Sequence, residues 1–505
     1  MAVETELKLR IAPAQLARLK RHPLLRAQQL TRPGTRRLYN IYFDTPKLEL
    51  NQSGMALRLR RSGKQWLQTL KGGGSIQGGL HQRNEWEMAV SGPALDFSLP
   101  QVAEWKDLLP QRIRKKLQPV FVTDFSRNSR MLSWQGAEIE LCMDQGEIST
   151  EHAHTPICEL ELELKSGEPR QLFELALEIL DIAPFELESV SKAEQGFRLR
   201  FGYNEQPVKA LPVVLHKQAD LSAALQTLIW SCLQHFQGNL RGVMAGDNSE
   251  YLHQLRVALR RLRVLLRMAA SVCADEQLAV FRKEVAALCD TLGRMREWDV
   301  FIADTVRPMC ERMPQDAGLQ LLLTASEQLR DARYSALRSE TQAQALQRLL
   351  LRFGSWMHGT YWQRFANAGL SARAFSRTYL SELAGNFAQM GEHLDTRDTE
   401  KLHALRIQAK KLRYGAEFFA SLHGKHKSGQ YLAALSEAQE VLGQLNDDAV
   451  ATRLLEELAA AQVLAVHQDT IALAKGWLEH DLLQQLMLLQ LALGDFQRQP
   501  RYWEK

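Results

Sequence analysis

Glu4-Thr5-Glu6-Leu7-Lys8 alternates charged with uncharged side chains at the head of a 505-residue chain. On a β-strand successive side chains point to opposite faces, so Glu4, Glu6 and Lys8 share one face, with the carboxylates about 7 Å apart. Two carboxylates followed by an ammonium suit a hard divalent cation and an anion carried with it. A short alternation also fits the wet face of an ordinary sheet, so its meaning depends on what surrounds it. The same period of two returns in Arg58-Leu59-Arg60, Thr69-Leu70-Lys71, Glu85-Trp86-Glu87, Glu138-Ile139-Glu140-Leu141 and Glu159-Leu160-Glu161-Leu162-Glu163-Leu164. Turn signals such as Asn51-Gln52-Ser53-Gly54 and Gly72-Gly73-Gly74 separate these runs, and helical stretches interrupt near Pro13–His22 and Arg170–Leu180. Residues 1–202 therefore read as an α+β domain with a mostly antiparallel sheet.

The charges on these strands are sorted by sign. Glutamates dominate some (Glu4 and Glu6; Glu85 and Glu87; Glu138 and Glu140; Glu159, Glu161 and Glu163), and Arg58, Arg60, Lys71, Arg127, Arg130 and Lys192 supply others with positive charge. A closed barrel of about eight strands can hold one small ligand. With the charged faces inward, the acidic strands suit Mg²⁺ or Mn²⁺ and the basic strands suit phosphate oxygens. Without a guest such a lining repels itself, so a metal–polyphosphate ligand accounts for it better than water does.

The pattern dissolves over residues 203–217, a linker holding Pro207 and Pro212, and from 218 to 505 the period is helical, as in Leu221, Ala224, Leu225, Leu228 and Ile229. This half repeats. His253-Gln254-Leu255-Arg256 with Arg260-Arg261-Leu262-Arg263 returns 150 positions on as His403-Ala404-Leu405-Arg406 with Lys410-Lys411-Leu412-Arg413, and Leu292-Gly293 returns in the same register as Leu442-Gly443. Two repeated helical bundles, about 218–365 and 366–505, are expected. On one helix Arg256, Arg260, Arg263 and Arg267 form a continuous face one turn after His253, with Leu252, Leu255, Leu259, Leu262 and Leu266 as the neighbouring seam. The second copy offers His403, Arg406, Lys410 and Arg413 beside Leu402, Leu405 and Leu412. No acid lies between His253 and Arg267, and aligned arginines cost stability unless an anion neutralises them. These two stripes are the expected polyanion site.

No apolar run is long enough to span a bilayer and no basic-then-apolar leader opens the chain, so a cytoplasmic location, with an untrimmed N-terminus, is expected. Six cysteines without metal-ligand spacing read as free thiols. Net charge is only +5, from 63 basic and 58 acidic residues, so the arrangement of charge carries the argument. Few aromatics accompany the arginine stripes, which argues against single-stranded nucleic acid.

The first half resembles the CYTH superfamily of triphosphate tunnel metalloenzymes. The likeness lies in Glu4-x-Glu6-x-Lys8, Tyr42-Phe43-Asp44-Thr45-Pro46, Gly54 to Arg60, Thr69-Leu70-Lys71, Arg83-Asn84-Glu85-Trp86-Glu87, Asp144-Gln145-Gly146, Glu159 to Glu163 and Ser191-Lys192, in that order. The resemblance implies an eight-stranded antiparallel tunnel that hydrolyses a linear triphosphate with Mg²⁺ or Mn²⁺. By the same likeness Glu4, Glu6, Glu161 and Glu163 hold metal, with Glu85, Glu87 and Asp144 as further candidates. Lys8, Arg58, Arg60, Lys71, Arg83, Arg127 and Lys192 clamp phosphate, and Glu4, Glu6, Lys8, Lys71 and Lys192 carry catalysis. The second half resembles the CHAD domain through its two His-x-x-Arg helices and Leu-Gly segments. That likeness implies paired bundles that bind inorganic polyphosphate through His253, Arg256, Arg260, Arg263, His403, Arg406, Lys410 and Arg413. The order of the halves resembles bacterial inorganic triphosphatases. The alternatives are a non-catalytic polyphosphate-binding adaptor, or a CYTH enzyme acting on thiamine triphosphate or a nucleotide, for which Trp66 and Trp86 are the available aromatic shelf.

Overall fold

A computed structural model describes residues 2–99, 102, 105, 107–203, 205–246, 248–366, 369–396, 398–423, 425–460, 468–480 and 482–504. The chain divides into two compact units, residues 1–206 with 343–360, and residues 207–342 with 361–505.

In the first unit eight antiparallel strands close on themselves. They are β1 (Ala2–Ile11), β2 (Gly34–Asp44), β3 (Ala56–Ser62), β4 (Gln65–Gln77), β5 (Leu80–Val90), β6 (Gln118–Trp134), β7 (Ala137–Ser149) and β8 (His154–Ser166). Their order is β5-β4-β3-β2-β6-β7-β8-β1, and β1 returns to β5, so no edge is left open there. A short ninth strand, β9 (Phe185–Leu187), adds to β1 beyond the end of β5. Both faces of the opening strand are buried: Leu7 and Leu9 on one side, Glu6 and Lys8 on the other. Facing pairs in the ladders keep their side chains on the same face. Register alone thus sets Glu6 beside Glu163, Lys8 beside Glu161, and Glu4 beside Arg83.

Part of the inward face is apolar. Tyr42, Phe121, Phe125, Ile148 and Ile157 form a cluster with Ala193 and Phe197 of the helix Lys192–Phe201. Gly196 lets that helix approach, since a Cβ there would lie 2.1 Å from the Phe121 ring. Lys192 therefore enters the barrel from the first turn of a helix, capped by Ser191, and not from a strand as its place among the basic strands implied.

The helical unit carries the repeat in its element order. Helices Leu221–Ala245, Ser249–Val272 and Glu276–Val300 are matched about 150 positions later by Ala372–Glu392, Thr399–Phe419 and Lys425–Ala460. The two stripe helices start on side-chain caps, Asn248 accepting from Glu250 N–H and Asp398 from the Glu400 and Lys401 amides. The leucine seam of the first is fully buried. In the second, Leu405 and Leu412 are buried, while Leu402 is only half-buried and lines the cavity described below. A six-residue π-helix, Phe301–Val306, follows directly on Glu276–Val300.

Two stretches depart from the expected division at 202 and 218. Residues 343–360 sit with the barrel, although their periodicity is that of the bundle helices around them. Residues 207–215 are tied to the helical unit, with the Val208 amide and carbonyl both bonded to Asn239 and the Leu215 amide donating to Ser421 Oγ. Among the described residues no helix is long and apolar enough to cross a membrane.

Candidate functional site

The barrel interior holds interleaved carboxylates and cations. Lys192 Nζ lies 2.7 Å from Asp144 and 2.9 Å from Glu161, and also bonds Glu159. Arg127 forks onto Asp144 at 2.8 and 2.6 Å and reaches Glu161 as well. Lys8 bridges Glu6, at 3.0 Å, and Glu161. Among the described residues, Asp144, Glu159 and Glu161 each offer one carboxylate oxygen within 4.8 Å of the others, and all three are buried. Hard oxygen donors in such a cluster fit a divalent cation of the Mg²⁺ or Mn²⁺ kind.

Burial and neighbours split the trio. Burial raises Glu159 to about 7 against the pull of Lys192 and Lys8. Burial acts the same way on Glu161 and Asp144, but their cations overcome it and hold both below the usual range. The cations respond in kind: burial opposes the charge on Lys8, Lys192 and Arg127, and their carboxylates more than restore it.

Toward β3–β5 the pairing loosens. Lys71 bonds Glu4 and lies 3.4 Å from Glu85, and Arg58 is 3.5 Å from Glu85 with its buried Nε unpartnered. Arg60 donates to Asn40 at 2.9 Å and reaches Glu87 only at 4.0 Å. Burial, with Arg58 and Arg127 nearby, lowers Arg60 to about 10. Glu87 accepts from Thr69 Oγ1 at 2.9 Å. Glu163 is half-buried and pairs with Lys165 at 2.6 Å. Glu4, Glu6, Glu161 and Glu163 thus line one face in register; Glu6 and Glu161 share Lys8, while Glu4 engages Lys71 and Glu163 engages Lys165. Glu159, on the same strand face as Glu161, joins the tight trio; its parity with Glu161 and Glu163 was the available signal. His81, across from Glu6, is also enclosed, its Nε2 3.3 Å from the Glu188 carbonyl, and burial next to Lys8 lowers it to about 3.

In the helical unit the stripes from both repeats line one cavity of roughly 1110 Å³. His253, Arg256, Arg260, Arg263, His403, Arg406 and Lys410 all face it. The remaining sequence candidate, Arg413, is not among the lining residues and instead pairs with Glu417 at 2.8 Å. Lys411, Arg267, Arg296 and Arg453 line the cavity in addition. Pairing is uneven: Arg453 bonds Glu297 at 2.5 Å, but Arg406 is 3.6 Å from Asp447, Arg263 is 3.8 Å from Asp290 and Arg296 is 3.8 Å from Asp299, and Arg260 and Arg406 each bury an unpartnered Nε. Burial, then Arg260 and Arg406, depresses Lys410 to about 6; burial, then Arg260, depresses Arg256 to about 10.

The CYTH domain profile matches residues 2–197 and the CHAD domain profile matches residues 227–456. The chain is a CYTH–CHAD protein. Over 209 residues it is 35% identical to the inorganic triphosphatase of Haemophilus influenzae, covering 39% of this chain and 55% of that protein. It thus spans about half the length of that relative. Over 420 residues it is 27% identical to an uncharacterized protein of Mycobacterium tuberculosis, covering 76% of each. Among solved structures, the CHAD domain from the plant Ricinus communis aligns with a TM-score of 0.51 at 30% identity, covering 59% of this chain and 99% of that one. The CYTH match holds the barrel strands and Lys192, and the CHAD match holds both basic stripes.

Proposed function

We propose that the CYTH barrel hydrolyses inorganic triphosphate and that the CHAD cavity binds inorganic polyphosphate. The observation that carries the first half is the enclosure, in one barrel, of a compact carboxylate trio interleaved with Lys8, Arg127 and Lys192. Water adds across one bridging P–O–P linkage: a new P–O bond forms, the bridging P–O bond breaks, and pyrophosphate and phosphate leave. Asp144, Glu159 and Glu161 would hold Mg²⁺ or Mn²⁺, with Glu4, Glu6 and Glu163 along the same face. A divalent ion held there supplies charge neutralisation and an activated water. Arg58, Arg60 and Lys71 bind phosphate oxygens, and Lys8, Arg127 and Lys192 fix the carboxylates and are already desolvated for contact with substrate. The H. influenzae relative named an inorganic triphosphatase supports this reading.

The outward placement of the tryptophans favours an inorganic substrate over thiamine triphosphate or a nucleotide. Trp86 packs with Leu70 and Met88 in the outer core, and the Arg61 guanidinium covers Trp66 at 5.8 Å. Neither offers a shelf inside the barrel for an organic group.

For the CHAD cavity, unmatched cations drawn from two repeats fit a flexible anion bearing one charge per phosphate. Phosphorus-31 NMR of tripolyphosphate incubated with the protein and Mg²⁺ tests the first reading: pyrophosphate and phosphate should appear in equal amounts. Unchanged tripolyphosphate leaves the adaptor reading in its place.

A further inference from the structure

The helix Glu340–Met357 lies inside the stretch matched by the CHAD profile, yet one of its faces is built for the barrel. Gln347 Oε1 accepts the Leu187 amide of β9 at 3.0 Å, and Gln347 is buried. Arg348 pairs with Asp181, and Ser355 Oγ lies 3.4 Å from Glu174 on the helix Pro169–Ile182. Gly354 meets Phe173 so closely that a Cβ would sit 2.2 Å from the ring, and the His358 imidazole stacks on Phe173 at 5.8 Å. Residues 347, 348, 354, 355 and 358 fall on one helical face.

The residue after Leu187 leads into the site. The Glu188 amide donates to the Lys8 carbonyl at 2.8 Å, its carbonyl lies beside His81, and its carboxylate accepts the Val190 amide at 2.9 Å. Ser191 then caps the helix whose first residue is Lys192. The three residues of β9 pair with Leu9–Ile11 of β1, and Gln347 adds a side-chain bond to the Leu187 amide from which this path continues.

We infer that the Gln347 face is part of the catalytic unit, and that Gln347 is a positioning residue that fixes the Leu187–Lys192 segment and so the placement of Lys192 among Asp144, Glu159 and Glu161. This rests on the proposed triphosphatase reading for its kinetic consequence but not for its structural one. It also means that a barrel cut at residue 202 lacks one of its supports. Gln347 contributes one side-chain oxygen to the Leu187 amide, so removing that oxygen acts first on this segment.

The test uses the full chain, with Gln347→Leu to remove the acceptor and Gln347→Glu to keep one. Hydrogen exchange at Leu187–Lys192 should rise at least tenfold in Gln347→Leu, with β7 amides unchanged, and return toward wild type in Gln347→Glu. Tripolyphosphate turnover should show kcat reduced about tenfold with KM within twofold, and Gln347→Glu should recover most of it. Unchanged exchange in Gln347→Leu overturns the inference whatever the activity. Raised exchange with wild-type kcat overturns the positioning role and leaves a scaffold contact. A wild type that hydrolyses nothing defeats the proposed function instead, and the exchange readout still decides whether the helix holds the segment.

Discussion

The barrel and the helical cavity both concentrate buried cations, but they treat them in opposite ways. In the barrel Lys8, Arg127 and Lys192 each touch at least two carboxylates, and their charge is held more firmly than in water. In the cavity Arg256, Arg267, Arg406, Lys410 and Lys411 all have their charge weakened, first by burial and, for each, by neighbouring cations. The first arrangement is balanced when empty and suits a site that must position a small reactant. The second is unbalanced when empty and gains from almost any polyanion that fills it. Inside the barrel Arg60 behaves like the cavity, with its nearest carboxylate at 4.0 Å and two arginines nearby.

That exception gives the largest expected effect among single cations. Arg60→Ala should raise KM for tripolyphosphate by about 10- to 100-fold, the value of one lost charge-assisted hydrogen bond. Steady-state kinetics with an unchanged KM would move Arg60 to the structural side of the comparison.

Lys410 sharpens the contrast through pH. Its folded value of about 6 lies far below that of an exposed lysine, so between about pH 6 and 10 the unfolded chain binds a proton that the folded chain does not. Stability of the ligand-free protein should therefore climb with pH across that window through this residue. A bound polyanion restores the proton, so polyphosphate affinity should fall above pH 6 by up to roughly tenfold per unit. Calorimetry in buffers of different ionisation enthalpy should record close to one proton taken up near neutrality, and Lys410→Met should abolish that uptake.

The smallest effect belongs to Arg413. Paired with Glu417 and outside the cavity lining, it should change polyphosphate affinity less than twofold when replaced by alanine, whereas Lys411→Ala should weaken binding severalfold. Equal losses from both would put the second stripe back on the face read from its spacing.

Strand parity made most of the barrel legible, because a period of two fixes which residues share a face before any register is known. The expected candidates Lys8, Arg127, Asp144, Glu161 and Lys192 do meet in one network. Parity puts Glu159 on the Glu161 face; what it cannot give is that Asp144 of β7 meets both across the strand pair and that Lys192 enters from a helix, which is what makes Glu159 part of the tight trio. Helical spacing located the stripes but could not say where a stripe stops facing the cavity, and Arg413 pairs with Glu417 outside its lining. Nor does amphipathic period say whose core a helix serves, so residues 343–360 read like their neighbours while packing on the barrel. Arg267 lines the cavity as the end of the stripe its spacing describes, whereas Lys411, Arg296 and Arg453 enter from positions that spacing on one helix does not mark.

The account rests most directly on the carboxylate trio, and phosphate release from tripolyphosphate measures it. Wild type should release phosphate with Mg²⁺ or Mn²⁺ and lose that activity on chelation, and folded Glu161→Gln should fall by about 100-fold or more with metal present. Release that is indifferent to chelation, or a Glu161→Gln protein as active as wild type, would contradict a metal-assisted site at Asp144, Glu159 and Glu161.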